Sequence, residues 1–495
     1  MADFTEERIS TGVSGLDQIC NGGLLPQHAY LVRGGPGAGK TTLGLHFLTS
    51  GTARGESALY ISLYEPEQRI REIARRLGFP LEQVQFLSLG PVPDLFSTME
   101  PGRIFAPTTE EPGSFTQRIG EEITRLKPQR IFVDAITQFR FLYPDIFQFR
   151  RQMLSFLHFL TEQEVTALLS SETSAQTVDE DLQFMTDGVI TLEQSGTERW
   201  LSISKFVGSG FRAGRHAMKL TNTGMLVFPR LLPEEHGKVF KAETIPSGVP
   251  ELDEMLHGGI ERGTVTLITG PSGVGKTTLG LQYMKEASGR GERSVTYIFE
   301  ESLETLVHRA EAIQIPVTAM MERGTLAVVP IDPLRLSPDE FAMLVRQEVE
   351  ECNTRIIMLD SIAGYRLAFR EENLVTHMHA LAKYLTNMGV TVVLVNEVEY
   401  ITGNFRITDV GISYLVDNVI FLRYLEMRGE IHKAIGVLKK RMSSFEKTLR
   451  EIEITRYGIK VGRPLTELRG ILTGTPEIIG RREDATACGE SLRER

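Results

Sequence analysis

The sequence predicts an α/β protein built as two tandem copies of one domain, each a mostly parallel twisted sheet with helices on both faces. Three observations point there. The loop GGPGAGKTT (Gly34 to Thr42) returns as GPSGVGKTT (Gly270 to Thr278). The sequence around the loops repeats in one register. Short β-branched runs alternate with longer segments of helical periodicity, the pattern of parallel strands joined by helical crossovers.

The chain has 495 residues, too many for one ordinary core, so two domains of roughly 240 residues are expected. Hydrophobic residues make up 41% and charged residues 24%, enough apolar surface to build a core in each half. Cys20, Cys352 and Cys488 are scattered and lack CxxC spacing, which implies neither a disulfide framework nor a zinc site and suits a reducing cytoplasm. No stretch has the apolar length to cross a bilayer, and the start MADFTEERIS does not read as a signal peptide. A net charge of -10 argues against a surface built to grip polyanions, so nucleic acid is an unlikely partner.

The register of the repeat is strict near the loops. Lys276 stands 236 positions after Lys40, and the segment TGVSGLDQICNGGL matches SGVPELDEMLHGGI at the same spacing. Two copies of one domain explain this and convergence does not. Further on, RIFVD ending at Asp134 matches RIIMLD ending at Asp360, now 226 positions apart. The first copy therefore carries an insertion, placed in LGPVPDLFSTMEPGRIFAPTTEEPGSF, whose Pro, Gly, Ser and Thr content reads as a surface loop. The polar stretch LLPEEHGKVFKAET reads as the linker, with a boundary between Pro233 and Lys241 and domains at 1–236 and 237–495. The runs VTLIT, VTYIF, RIIMLD and VTVVLV read as buried parallel strands, and TTLGLQYMKEA reads as a helix.

Both loops satisfy GxxxxGK[ST] between a strand and a helix. Glycines let backbone N–H groups curl around a phosphate, and the helix N-terminus supplies positive potential where the anion sits. Lys40 and Lys276 would reach the β- and γ-phosphates of a nucleoside triphosphate; Thr41 and Thr277 would ligate Mg2+. A carboxylate at the end of a later strand is needed to hold that metal through water, and Asp134 and Asp360 stand there. The candidate nucleotide contacts are Gly35, Pro36, Gly37, Ala38, Gly39, Lys40, Thr41 and Thr42 in the first copy. In the second they are Pro271, Ser272, Gly273, Val274, Gly275, Lys276, Thr277 and Thr278.

Over nearly its whole length the chain resembles the KaiC family of tandem RecA-like ATPases. The resemblance is carried by SGVPELDEMLHGGIERGTVTLITGPSGVGKTTLGLQYMKEA, YIFEES, ITDVGISYLVDNVIFLRYLEMRGEIHKAIGVLKKR and LTELRGILTGTP. It implies two RecA-like P-loop NTPase domains, ATP with Mg2+, a homo-hexameric ring with nucleotide between subunits, slow hydrolysis, and Ser/Thr autokinase activity in the second domain. Glu300 and Glu301 fall on the family's paired catalytic glutamates, where a carboxylate orients or deprotonates the nucleophile. In the first copy the matching positions are Tyr64 and Glu65, so one glutamate is missing.

The family also reaches into the neighbouring subunit's nucleotide with a Lys-x-Arg pair. That pair matches Lys439 and Arg441 in the second copy but Lys205 and Val207 in the first. A cation supplied this way neutralises charge on the transferred phosphoryl group. Both departures weaken chemistry in copy one and leave its phosphate loop intact, which makes copy two the better site for turnover. The family's phosphoacceptors align with Ser413 and Tyr414. A Tyr hydroxyl stands farther from the backbone than a Thr hydroxyl, so Ser413 is the expected acceptor, Thr408 a lesser one, and Tyr414 a packing residue.

Two other function classes stay open on the sequence: a RecA-like motor or recombinase on nucleic acid, and a nucleotide-gated scaffold with little turnover. The acidic balance disfavours the first; the paired glutamates disfavour the second. The resemblance implies a partner of the KaiB type at the first domain. The tail GRREDATACGESLRER does not match the family's partner-binding C-terminus, and a circadian role does not follow from these residues.

Overall fold

The computed structural model describes residues 7–89, 112–143, 145–173, 179–332, 336–369, 374–398, 414–427, 429–471 and 477–478. The chain divides into two compact units, Met1–Arg230 and Leu231–Arg495.

In the first unit β1 (Ala29–Gly34), β2 (Ala58–Ser62), β3 (Val84–Ser88), β4 (Arg130–Asp134), β5 (Thr166–Glu172), β6 (Gly188–Ser195), β7 (Glu198–Phe206), β8 (Arg215–Thr221) and β9 (Gly224–Phe228) form one sheet. Its order is β3-β2-β4-β5-β1-β6-β7-β8-β9. Pairs from β3 to β6 are parallel, and β6 to β9 continue as antiparallel hairpins. Strand residues alternate between two cores. Val32, Tyr60, Phe132 and Leu168 meet Leu43 and Phe47 of the helix Lys40–Thr52 on one face. Leu31, Leu59, Ile131 and Leu169 meet Ile119, Phe149 and Met153 on the other. Burial on both faces is why these strands read as unbroken apolar runs.

Near its start the second unit pairs β10 (Thr244–Ile245) antiparallel with β11 (Ile260–Glu261) across the short helix Pro250–Met255. It then repeats the plan with β12 (Val265–Gly270), β13 (Ser294–Ile298), β14 (Leu326–Pro330), β15 (Ile356–Asp360), β16 (Thr391–Glu397), β17 (Asn418–Met427), β18 (Glu430–Lys440), β19 (Arg450–Thr455) and β20 (Gly458–Pro464). The order β14-β13-β15-β16-β12-β17-β18-β19-β20 reproduces the first sheet strand for strand. This is the two-copy α/β architecture expected from the loops and the periodicity, extended by antiparallel strands that the parallel-strand pattern did not announce.

Each phosphate-loop helix lies close on its sheet because a glycine faces β4 in the first copy and β15 in the second. A Cβ on Gly44 would stand 2.3 Å from the Phe132 ring, and one on Gly280 would stand 2.2 Å from Met358 Sδ. Of the segment expected as a surface loop in the first copy, residues 90–111 lie outside the described residues. The tail of that segment belongs to the helix Pro112–Leu126, with Pro at the first position, where no N–H is needed. The stretch expected as a linker is laid onto the second unit. Asn387 Nδ2 donates to Pro233 O (2.9 Å) and Lys238 N donates to Asn387 O (3.0 Å).

Candidate nucleotide sites

Both loops sit where β1 and β12, the central strands, reach their C-terminal ends and turn into a helix. Gly39 and Gly275 cap those helices with φ of 105° and 116°, a left-handed conformation that an L side chain resists. The first-turn N–H groups are thereby aimed into the loop. Lys40 Nζ donates to Gly34 O (2.8 Å) and Gly35 O (2.9 Å), and Lys276 Nζ donates to Pro271 O (2.8 Å). Burial lowers both amines from their ordinary range. Glu172 and Asp134 oppose that at Lys40, and Glu397, Asp360 and Glu300 oppose it at Lys276.

The metal-side pairs assemble across the sheet. Thr41 Oγ1 donates to Asp134 Oδ2 (2.8 Å) and Thr277 Oγ1 donates to Asp360 Oδ2 (2.7 Å). Burial raises the Asp360 carboxyl above the usual range, against the hydrogen bond from Thr277 and the charges of Arg309 and Lys276. A hydroxyl and a carboxylate on the phosphate side are oxygen-only donors, the chemistry a hard cation such as Mg2+ takes.

In the second copy these groups line a cavity of about 720 Å3 together with Glu300, Glu301, Arg309 and Lys433. The two glutamates part company there. Glu300 Oε1 accepts from Ser361 Oγ (3.0 Å), beside Asp360, while Glu301 Oε2 accepts from Arg309 Nη2 (2.8 Å). Both precede Ser302, which caps the helix Leu303–Glu311 through Thr305 N. In the first copy Tyr64 is exposed, and the Glu65 carboxylate pairs with Arg69 at 3.5 Å on the next helical turn.

Lys439 and Arg441 occupy the other end of the sheet. Lys439 is paired with Val419, level with Leu267 near the start of β12, whereas the phosphate loop follows Gly270 at its end. Lys439 Nζ donates to Val416 O; Arg441 donates to Tyr414 O (3.2 Å) and Asp417 Oδ1 (3.4 Å). Lys205 takes the matching place in the first copy, donating to the carbonyls of Gln183, Phe184 and Thr186, and Val207 is exposed. Ser413 and Thr408 lie outside the described residues. Tyr414 is 52% exposed, with its ring stacked on His379 at 5.9 Å, so it is less enclosed than a packing residue would be.

Residue reasoning missed a second set of cations. Arg199 Nη1 donates to Gly37 O (2.7 Å) and Lys433 Nζ donates to Gly273 O (3.2 Å), each reaching the tip of its own loop. Their signal was present: each stands six positions before Lys205 or Lys439 in the repeat. Glu172 and Glu397, at the ends of β5 and β16, were also missed; Glu397 Oε2 is 3.8 Å from Lys276 Nζ.

A central strand, a glycine-capped phosphate loop and a helix hydroxyl bonded to a carboxylate at the end of the next strand but one, all present twice, define a tandem RecA-like P-loop ATPase. A family model described as "ATPase: KaiC" matches residues 9–231 and again 245–466, and the chain belongs to that family. Among curated relatives, the circadian clock protein KaiC3 of Synechocystis sp. (strain PCC 6803) is 28% identical over 483 residues, covering 95% of this chain and 94% of its own. The circadian clock oscillator protein KaiC of Prochlorococcus marinus (strain MIT 9313) is 27% identical over 495 residues, covering 96% of both chains. That of Parasynechococcus marenigrum is 26% identical over 492 residues, covering 95% and 93%. Among the described residues no helix is long and apolar enough to cross a membrane.

Proposed function

We propose that the protein is a cytoplasmic signalling or timing ATPase that hydrolyses ATP in a homo-hexameric ring, with faster chemistry in the second copy and Ser/Thr autokinase activity there. One observation carries the ring. Strand β18 presents Lys433 to its own phosphate loop and, six residues on, Lys439 at the far end of the sheet, with Arg441 just past the strand's end. Six residues of strand span about 20 Å, so the second pair has a phosphate to act on only if a neighbouring subunit brings one.

In this reading Lys276 and the loop amides hold the β- and γ-phosphates, and Thr277 and Asp360 hold Mg2+, Asp360 through water. The metal offsets phosphate charge when bound. Glu300, held by Ser361 beside Asp360, orients the attacking water or acceptor hydroxyl and takes its proton; Glu301 is tied to Arg309. Arg441 and Lys439 of one subunit would stabilise the charge that develops on the phosphoryl group in the next. Ser413 is the proposed acceptor, with Thr408 secondary. The first copy, with Tyr64 and Val207 at the two catalytic positions, holds ATP mainly for assembly or hydrolyses it slowly with Glu65. A KaiB-type partner at the first copy belongs to the same reading.

The test is incubation with γ-labelled ATP, mapping free phosphate and protein-bound label, with sizing by light scattering with and without Mg-ATP. Turnover with a nucleotide-dependent hexamer is expected, with label at Ser413. A strict monomer under both conditions, or zero turnover, would overturn the proposal. Label on Tyr414 with Ser413 unmodified would overturn the choice of acceptor.

A further inference from the structure

The two sites treat their metal-side carboxylate differently. In the second copy, among the described residues, the Asp360 carboxylate accepts a hydrogen bond from Thr277 alone. In the first copy Asp134 accepts from Thr41 (2.8 Å), from Tyr60 OH (2.9 Å) and, on its other oxygen, from Ser170 Oγ.

The register shows what the second copy has instead. Ser62 pairs with Asp134 as Ile298 pairs with Asp360, which makes Thr296 the counterpart of Tyr60. Val133 pairs with Leu169 as Leu359 pairs with Leu394, which makes Val395 the counterpart of Ser170. Thr296 Oγ1 donates to Met284 Sδ (2.9 Å), and Val395 has no hydroxyl.

A carboxylate has about four acceptor positions. Thr41 sits on the first turn of the loop helix and can turn its hydroxyl to a metal, releasing one of them. Tyr60 cannot follow. Its side chain is 1% exposed, stacked on Phe86 and edge-on to Phe132, both at 5.2 Å, so its hydroxyl stays on Asp134. Ser170 is fully buried on β5. About half of the acceptor capacity that would take a hydrated cation's water is thus committed to the protein.

We propose that the first site is a metal-lean nucleotide-holding site, in which Tyr60 and Ser170 occupy Asp134 and leave the nucleotide to be retained chiefly by Lys40 and the loop amides. This rests on the reading that both loops bind nucleotide. The ligand class is a nucleoside di- or triphosphate held with weak demand for a divalent cation.

The test uses the full chain with a non-hydrolysable ATP analogue. Bound nucleotide is counted first; Mn2+ is then titrated, with the free ion followed by electron paramagnetic resonance. Two nucleotides per chain and two classes of Mn2+ are expected, with affinities apart on the order of tenfold, because a hydrogen bond to a charged group is among the stronger ones. Tyr60→Phe should tighten the weaker class severalfold and leave the stronger unmoved. Ser170→Ala should act in the same direction. Two nucleotides with a single class of Mn2+, or a weak class unmoved by both substitutions, overturns the inference. Fewer than two nucleotides per chain overturns the underlying reading as well.

Discussion

If Arg441 serves a neighbour's nucleotide, two inactive variants should restore each other. Lys276→Ala removes the phosphate anchor of the second copy and leaves Arg441 in place; Arg441→Ala does the reverse. Arg441 follows a strand end level with the start of β12, about 15 Å along the strands below Gly270, beyond the reach of its side chain to its own loop. Its ion pair to Asp417 is long (3.4 Å) and its side chain half-exposed, so Arg441→Ala should cost below ~1 kcal/mol of stability. The loss in turnover should be on the order of 10^2-fold or more, as for a cation lost from a phosphoryl-transfer site. In an equal mixture that exchanges subunits at random, about one interface in four combines an intact Lys276 with an intact Arg441 across the boundary. Phosphate release per chain should therefore recover to about a quarter of wild type, while each variant alone stays near background. Subunit exchange is verified by fluorescence transfer between labelled chains. No recovery in verified mixed assemblies would refute the reasoning, as would an Arg441→Ala protein that turns over normally by itself.

Lys276→Ala should remove most turnover and any autophosphorylation, whereas Lys40→Ala should chiefly impair assembly or a slower hydrolysis, read by phosphate release and light scattering. A hexameric Lys40→Ala protein without turnover would reverse the ranking of the sites. Glu300→Gln, isosteric and still able to accept from Ser361, should lower kcat on the order of 10^2-fold or more with nucleotide affinity nearly unchanged. A similar loss in Glu301→Gln with Glu300→Gln unaffected would exchange their roles. Burial pushes the Cys20 thiol up to about 12, and Cys352 is exposed. Iodoacetamide at pH 8 should therefore label Cys352 and spare Cys20 until the chain is unfolded, as read by peptide mass spectrometry.

The sequence by itself determined the two-copy α/β architecture and its nucleotide loops. Those features are written in contiguous residues: a GxxxxGK[ST] string fixes its own backbone shape through its glycines, and apolar runs fix which segments are buried on both faces. The match at a constant spacing made the duplication visible without any structure. Asp134 and Asp360 were legible for the same reason, as strand ends in a repeated pattern.

Tertiary structure decided what those residues meet. Asp134 and Asp360 look alike in sequence, yet Tyr60 and Ser170 reach one across neighbouring strands while Thr296 and Val395 leave the other open. Arg199 and Lys433 lie far along the chain from the loops they touch. The antiparallel extension that brings them there was hidden in half-buried strands without a distinctive apolar run. Glu300 and Glu301 are adjacent in sequence yet meet different partners because Ser361 arrives from the end of one strand and Arg309 from a helix. Hydrogen bonds and charge act over a few ångströms in space, so partners supplied by different strands are set by the packing of the sheet, which the order of residues along any one segment does not contain.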